Sequence, residues 1–486
     1  MSRQESISNK IASNLLWRFL ERCGAQGVSF IVSIVLARLI APEIYGTIAL
    51  VTVFSNILQV FVDSGMANAL IQKKDADNLD FSTVFFFNIV ACCFLYVLIF
   101  CAAPFIALFY EQPELTAVIR VLCLTVIFSG IRNVQQAYVS KTMQFKKFFF
   151  ATIGGTVVAA VVGIVLAYMG SGVWALVTQQ LLNIGIGTII LWITVKWRPQ
   201  KKFSFQRLRG LFSYGWKLLA ASLIDRVYNE LRSLIIGKMY SSADLAYYNR
   251  GNQFPNVIVT NINTSIDSVL LPTMSAEQDH RERVCAMTRR AIKTSTYIMM
   301  PLMMGLAICA EPVVRLLLTE TWLPCVPYLR IFCFTYALYP IHTANLNAIK
   351  ALGRSDIFLK LEIIKKAVGL IALGISMWFG PIWMAYSLLA TALISSIVNA
   401  FPNRKLLKYS YSEQIKDMLP QIILSCVMGS LVYCVQFLGF HDIIILIIQV
   451  AVGAFVYIAG SLLFKLESFE YIWNMVKGYI PKKSKH

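Results

Sequence analysis

The chain has 486 residues, of which 57% are hydrophobic and 14% charged, with a mean hydropathy of +0.65. No soluble fold of this length needs so apolar a composition, so the sequence reads as an integral membrane protein. A net charge of +19 would suit a nucleic-acid binder, but the basic residues form short clusters between apolar stretches without interleaved aromatics, which argues against nucleic acid as a partner.

The polar start MSRQESISNK is not followed by a short apolar core and a small-residue cleavage site, so no removable signal peptide is expected. A helical span takes about 20 apolar residues, and about fourteen segments qualify when polar interruptions covered by neighbours are allowed. The first six are 12–39, 44–66, 83–109, 115–138, 149–168 and 172–195. The next six are 211–239, 247–273, 287–309, 324–349, 358–379 and 381–401, followed by 417–438 and 442–464. The expected class is therefore an all-α polytopic membrane protein.

Four of these segments carry polar stripes at helical spacing. In the first, Arg18, Arg22, Gln26, Ser29 and Ser33 fall within roughly 80° of one another, with Glu21 beside them. The second has Thr52, Asn56, Gln59 and Asp63, and the seventh has Ser222, Asp225, Arg226, Asn229 and Ser233. The eighth has Asn252, Gln253, Asn256, Thr260, Asn263, Thr264 and Asp267. Ionised groups inside a bilayer cost about 2.5 to 3.5 kcal/mol each, so such stripes should face a water-filled cavity or one another.

Orientation follows from the basic residues of alternate loops. The N-terminus, the loops near Lys73, Lys146, Arg198, Arg283, Arg354 and Lys405, and the tail PKKSKH carry about 30 Lys and Arg, against about four in the other loops. Both termini should be cytoplasmic. The connection 196–210 (KWRPQKKFSFQRLRG) is the natural boundary, giving an N-terminal lobe over 1–200, a C-terminal lobe over 201–405 and two further helices with a basic tail over 406–486.

An internal repeat supports that division. RVLCLT (120–125) recurs as RIFCFT (330–335), and LARLIAPEIYG (36–46) matches IGKMYSSADLA (236–246) more weakly. An even number of segments separates the copies, so two six-helix repeats insert in parallel, and a substrate path between such repeats is expected. The striped segments are the first two of each half.

Guanidinium keeps its charge, and its planar fork matches phosphate oxygens. Arg18, Arg22, Arg226 and Arg232 form a vertical series in a cleft suited to a phosphate-bearing substrate. Gln26, Asn56, Gln59, Asn229, Asn256 and Asn263 could bond sugar hydroxyls. Glu21, Asp63, Asp225, Glu230 and Asp267 are counter-charges or ion-coupling groups. Internal pairing is the competing account: Glu21 with Arg18, Asp225 with Arg232, and Asp63 or Asp267 with Arg22. Arg120, Arg330, Arg132, Lys365 and Lys366 read as structural, able to snorkel from helix ends. His342 reads as a hydrogen-bonded side chain.

Eleven cysteines lie mostly in apolar segments without zinc-type spacing and read as packing residues, with a Cys309–Cys325 disulfide as the alternative for that pair. No phosphate-binding glycine loop, HExxH or GxSxG is present, so neither an enzyme nor a metal or cofactor is expected.

LARLIAPEIYGTIALVTVF (36–54), VDSGMANALIQKKD (62–75), GVWALVTQQL (172–181), FSYGWKLLAASLID (212–225) and LGRSDIFLKLEIIKK (352–366) resemble the lipid-linked oligosaccharide flippases of the polysaccharide transporter family, in its colanic-acid and teichuronic-acid branch. The resemblance covers roughly residues 10 to 405. It implies the fold of the multidrug, oligosaccharidyl-lipid and polysaccharide exporter superfamily, a V of two six-helix lobes plus two helices. It also implies a bacterial inner-membrane flippase that moves polyprenyl-pyrophosphate-linked repeat units to the outer leaflet by alternating access. Membrane lipids, a polysaccharide polymerase and other assembly proteins would be its further partners. A cation-coupled multidrug antiporter of the same superfamily is the alternative, and would favour carboxylates and aromatics over arginines in its cavity.

Overall fold

The computed structural model describes residues 3–63, 66–73 and 75–479, without the side chains of 3–16, 18, 19, 22, 23, 68, 214, 475, 476, 478 and 479. The described chain is helical throughout and divides into two compact units, 1–246 and 247–486. The first unit begins with α1 (Arg3–Leu39), α2 (Pro42–Asp63), α3 (Met66–Gln72), α4 (Asn78–Phe109), α5 (Leu115–Leu122) and α6 (Leu124–Lys141). It continues with α7 (Lys146–Tyr168), α8 (Val173–Thr194) and α9 (Phe205–Met239). α10 (Ser242–Ala276) opens in the first unit and leads into α11 (Arg281–Ile308), α12 (Ala310–Leu317), α13 (Val326–Ala337), α14 (Tyr339–Ala351) and α15 (Ser355–Ser376). α16 (Pro381–Ala400), α17 (Asn403–Leu406), α18 (Tyr411–Val435), α19 (Asp442–Leu463) and α20 (Glu467–Tyr479) complete the second.

Among the described residues nine helices are long and apolar enough to cross a membrane, and they match nine of the expected segments. The other expected segments are helical too, but less apolar for physical reasons. α1, α9 and α10 carry the polar stripes, and α15 carries Lys360, Glu362, Lys365 and Lys366. The expected helix 324–349 is broken at Leu338, where Pro340 begins α14 in the first-turn position that lacks a required N–H. The segment 115–138 breaks likewise, at Cys123.

Small residues set the tightest helix pair. A Cβ on Gly155 of α7 would come within 2.6 Å of Asn183 O on α8, and one on Gly163 within 2.9 Å of Gln179 Cβ. Helices without a hydrophobic force between them in lipid associate by such close approach.

The basic connection 196–210 is folded onto the first unit. Gln200 N–H donates to Ser82 Oγ at 2.9 Å, Ser204 N–H to Thr83 Oγ1 at 3.3 Å, and Gln135 Nε2 to Trp197 O at 3.2 Å. Arg207 then donates to Asp80 at 3.0 Å, a fully buried carboxylate that Lys73 also holds at 2.6 Å. Asp77 and Asp80 close a capping box at the start of α4. Compactness therefore carries α9 into the first unit, and the division falls at Ala246. Asp80→Asn is expected to cost about 3 kcal/mol, the lower end for a broken buried pair, because Lys73 and Arg207 are 35% and 37% exposed. A melting curve of the purified protein would register it, and an unchanged midpoint would contradict this account.

In the second unit α11 packs on α13, α14 and α18, while α18 packs on α19. Cys309 and Cys325 are buried free thiols, so the disulfide alternative is not formed. His342 shares a 3.1 Å hydrogen bond with Asn399.

Candidate functional site

α2 and α9 run antiparallel in the first unit and meet most closely at one end. A Cβ on Gly46 would lie 1.7 Å from Ser242 O, just beyond the end of α9, and one on Gly237 would lie 2.8 Å from Leu50 Cδ1. Gln112 Nε2 donates to Ser242 Oγ at 3.0 Å at this end. Lys238 Nζ donates to Phe109 O and to Glu111 Oε1 at 2.6 and 2.8 Å, and holds the Glu111 carboxyl below the usual carboxylate range. One to two turns further along α2, direct packing gives way to a polar bridge: Asn56 Nδ2 donates to Glu230 Oε1 at 3.0 Å.

Beyond that bridge the helices part around an open cavity of about 510 Å³. Asn56, Gln59, Val60 and Asp63 line it from α2, and Ala221, Ser222, Asp225, Arg226 and Asn229 from α9. Two of the stripes, which 3.6-residue periodicity puts on single helix faces, thus share one wall-to-wall space. Arg226 Nε is 3.4 Å from Glu230 Oε1, and its side chain remains 40% exposed. Gln59 donates to Asp63 Oδ1 at 3.1 Å and Asn229 to Asp225 Oδ2 at 3.1 Å. The cavity therefore holds one cation, Arg226, with Glu230 beside it, Asp63 and Asp225 on its walls and amides around it.

Of the other expected site residues in the first unit, the described ones do not line this cavity. The side chains of Arg18 and Arg22 lie outside the described residues. Glu21 accepts from Thr152 Oγ1 on α7 at 3.1 Å, and Gln26 is half-buried on α1. Arg232 is buried, 5% exposed, and its Nε and Nη2 have no hydrogen-bond partner, so the expected Asp225–Arg232 pair does not form. The reason is placement: Arg232 lies toward the closely packed end of α9 and Asp225 on the cavity. On α10, Asn256 accepts from Thr260 at 3.2 Å and is exposed, while Asn263 Oδ1 is buried without a partner. Asp267 accepts from Asn347 of α14 at 2.6 Å, and Asn252 from Tyr336 of α13 at 2.6 Å.

Sequence reasoning missed the amides behind Asp63. Asn133 of α6 is buried, donates to Asp63 Oδ1 at 3.5 Å, and accepts from Asn88 of α4 at 3.3 Å. Lone amides within apolar runs, as in FFFNIVACC, are the signal that would have found them.

The structure is thus that of an all-helical, multi-pass membrane protein with an open, charged cleft between two of its helices. A profile of the polysaccharide biosynthesis protein family matches residues 35–327, and the chain belongs to that family. It is accordingly a multi-pass membrane protein of polysaccharide biosynthesis. The teichuronic acid biosynthesis protein TuaB of Bacillus subtilis (strain 168) is 25% identical over 443 residues, 89% of this chain and 88% of TuaB. The succinoglycan biosynthesis transport protein ExoT of Rhizobium meliloti (strain 1021) is 20% identical over 484 residues, 97% of each chain. In structure, the lipid II flippase MurJ in an inward closed conformation superposes with a TM-score of 0.74 at 14% identity, covering 93% of this chain and 98% of MurJ. That likeness speaks to the fold.

Proposed function

We propose that this protein flips polyprenyl-pyrophosphate-linked oligosaccharide repeat units from the cytoplasmic to the outer leaflet of the bacterial inner membrane, for surface polysaccharide synthesis. The observation that carries the reading is the cavity between α2 and α9, with Arg226 set among Asn56, Gln59 and Asn229 and the carboxylates Asp63 and Asp225 as counter-charges. A guanidinium can engage pyrophosphate oxygens in pairs, while neutral amides bond sugar hydroxyls without fixing their identity. Arg18, Arg22, Gln26, Arg232, Asn256 and Asn263 are assigned to the same substrate. Family membership, and similarity to a teichuronic acid biosynthesis protein and a succinoglycan biosynthesis transport protein, support a glycan cargo.

All fourteen expected segments cross the membrane in this reading, with both termini cytoplasmic by the distribution of Lys and Arg. The two halves of six, 1–200 and 201–405, are repeats, with 406–486 appended. Matching geometry supports the repeat: Arg120 Nε donates to Phe100 O at 3.3 Å in the first unit, and Arg330 Nε to Ala307 O at 3.2 Å in the second. The cycle is alternating access, and it requires a ligand that binds its two states unequally. A polysaccharide polymerase would receive the flipped unit.

Glu230 is the group that phosphate must displace from Arg226. Glu230→Gln is expected to tighten substrate binding roughly fivefold, the equivalent of about 1 kcal/mol for a partly exposed ion pair, and to slow the complete cycle. Separate measurement of affinity and turnover checks this, and weaker binding would contradict it. Asp63, Asp225 and Asp267 remain the proposed ion-coupling groups. Reconstitution with defined polyprenyl-pyrophosphate glycans, scored for leaflet transfer with and without pH or sodium gradients, tests the function. Transfer indistinguishable from protein-free vesicles would refute it.

A further inference from the structure

A second cavity, of about 440 Å³, lies within the second unit between the first half of α11 and α20. Arg289, Arg290 and Lys293 line it from α11, Glu467 and Tyr471 from α20. It sits where the spans α11 and α19 meet the membrane surface, since α20 follows the end of α19 after a short turn. α20 has the composition of an interfacial helix: Tyr471 and Trp473 are 42% and 50% exposed, and Trp473 stacks on Phe469 with ring centres 6.0 Å apart. Aromatic side chains of this kind settle at headgroup depth.

The charges are unevenly neutralised. Arg289 is paired with Asp417, which is 12% exposed, and Lys293 lies 3.6 Å from Asp417 and 2.8 Å from Glu467. Glu467 stands at the rim, 81% exposed, and Lys293 holds its carboxyl below the usual range. Arg290 has no carboxylate partner among the described residues. Its guanidinium lies 5.1 Å from the centre of the Tyr471 ring, a cation–π contact that steadies it beside the cavity. One cation is therefore in excess beside a space at headgroup level.

We propose that this cavity binds the phosphodiester headgroup of an anionic phospholipid, with Arg290 donating to the phosphate and Lys293 turning from Glu467 toward it. This goes beyond the transport reading and needs only that α11 and α19 span the membrane. Both the charge and the depth match such a headgroup, and its acyl chains would follow the neighbouring apolar helix surfaces.

The test is lipid retention by the full-length protein in detergent, measured by native mass spectrometry with phosphatidylglycerol, phosphatidylcholine or inorganic phosphate added. Phosphatidylglycerol should be retained over phosphatidylcholine, and millimolar phosphate should not displace it. Arg290→Gln should weaken retention about fivefold, and Glu467→Gln should strengthen it by a similar factor, since each surface charge is worth about that much. Opposite signs from two neighbouring substitutions cannot come from loss of folding. Equal retention of both lipids, or no effect of either substitution, would overturn the proposal. Displacement by inorganic phosphate would overturn the lipid assignment in favour of a soluble phosphate.

Discussion

Arg226→Ala is expected to lower transport roughly ten- to a hundredfold, the loss of charge-assisted hydrogen bonds worth about 1.5 to 3 kcal/mol. Arg226 faces the cavity with 40% of its side chain exposed, and its only ion-pair partner among the described residues is Glu230. Removing it leaves Glu230 facing the substrate's phosphates, so attraction becomes repulsion. Arg226→Lys should keep part of the activity, because charge remains while the bidentate fork is lost. Surface polysaccharide made by cells carrying each variant checks the order wild type, Lys, Ala. Near-normal polysaccharide with alanine would mean that Arg226 serves only its internal pair.

Gly46→Ala should be as damaging by a different route. A Cβ there meets the Ser242 backbone oxygen at 1.7 Å, and no rotamer change relieves a clash between two backbones. The packing of α2 against the turn between α9 and α10 must open, at a cost of about 3 kcal/mol, the upper end for an overpacked site. Because α2 and α9 diverge into the cavity, opening this packing also alters the spacing of Asn56 and Glu230. Gly305→Ala is the matched control: it lies inside α11 with nothing within 4 Å of its added carbon, and alanine is the better helix former. The Gly46 variant should lose both thermal stability and transport, while the Gly305 variant keeps both. Equal behaviour of the two would remove this packing from the account.

The polar faces of α2 and α9 were legible because an amide or a charge every third or fourth residue stands out in a lipid-facing sequence. Periodicity places Asn56, Gln59 and Asp63 on one side of a helix whatever that helix packs against. What it does not contain is the partner. Thr152 for Glu21, Asn133 for Asp63 and Asn347 for Asp267 each come from another helix. Asn56 is joined to Glu230 across 174 positions. The pairing of Asp225 with Arg232 failed for the same reason, since neighbours along one helix need not share an environment. Gly46 was equally silent: a single glycine in a helix marks a close approach only once the opposing backbone is known. The connection 196–210 reads from the sequence as the boundary between two lobes. Its backbone donors nevertheless find Ser82 and Thr83, hydroxyls that the sequence of α4 offers without announcing a recipient. The break at Leu338 was written in Pro340, and a stricter use of that proline would have divided the segment.

The central claim is that an anionic, lipid-linked glycan crosses the membrane through the cavity between α2 and α9. The most direct measurement loads proteoliposomes with a fluorescent polyprenyl-pyrophosphate oligosaccharide and follows its appearance in the opposite leaflet, with wild-type protein and with Arg226→Ala reconstituted at equal density. Transfer by the wild type that falls at least about tenfold with the alanine variant is the expected result. Transfer at the same rate through both proteins would contradict it.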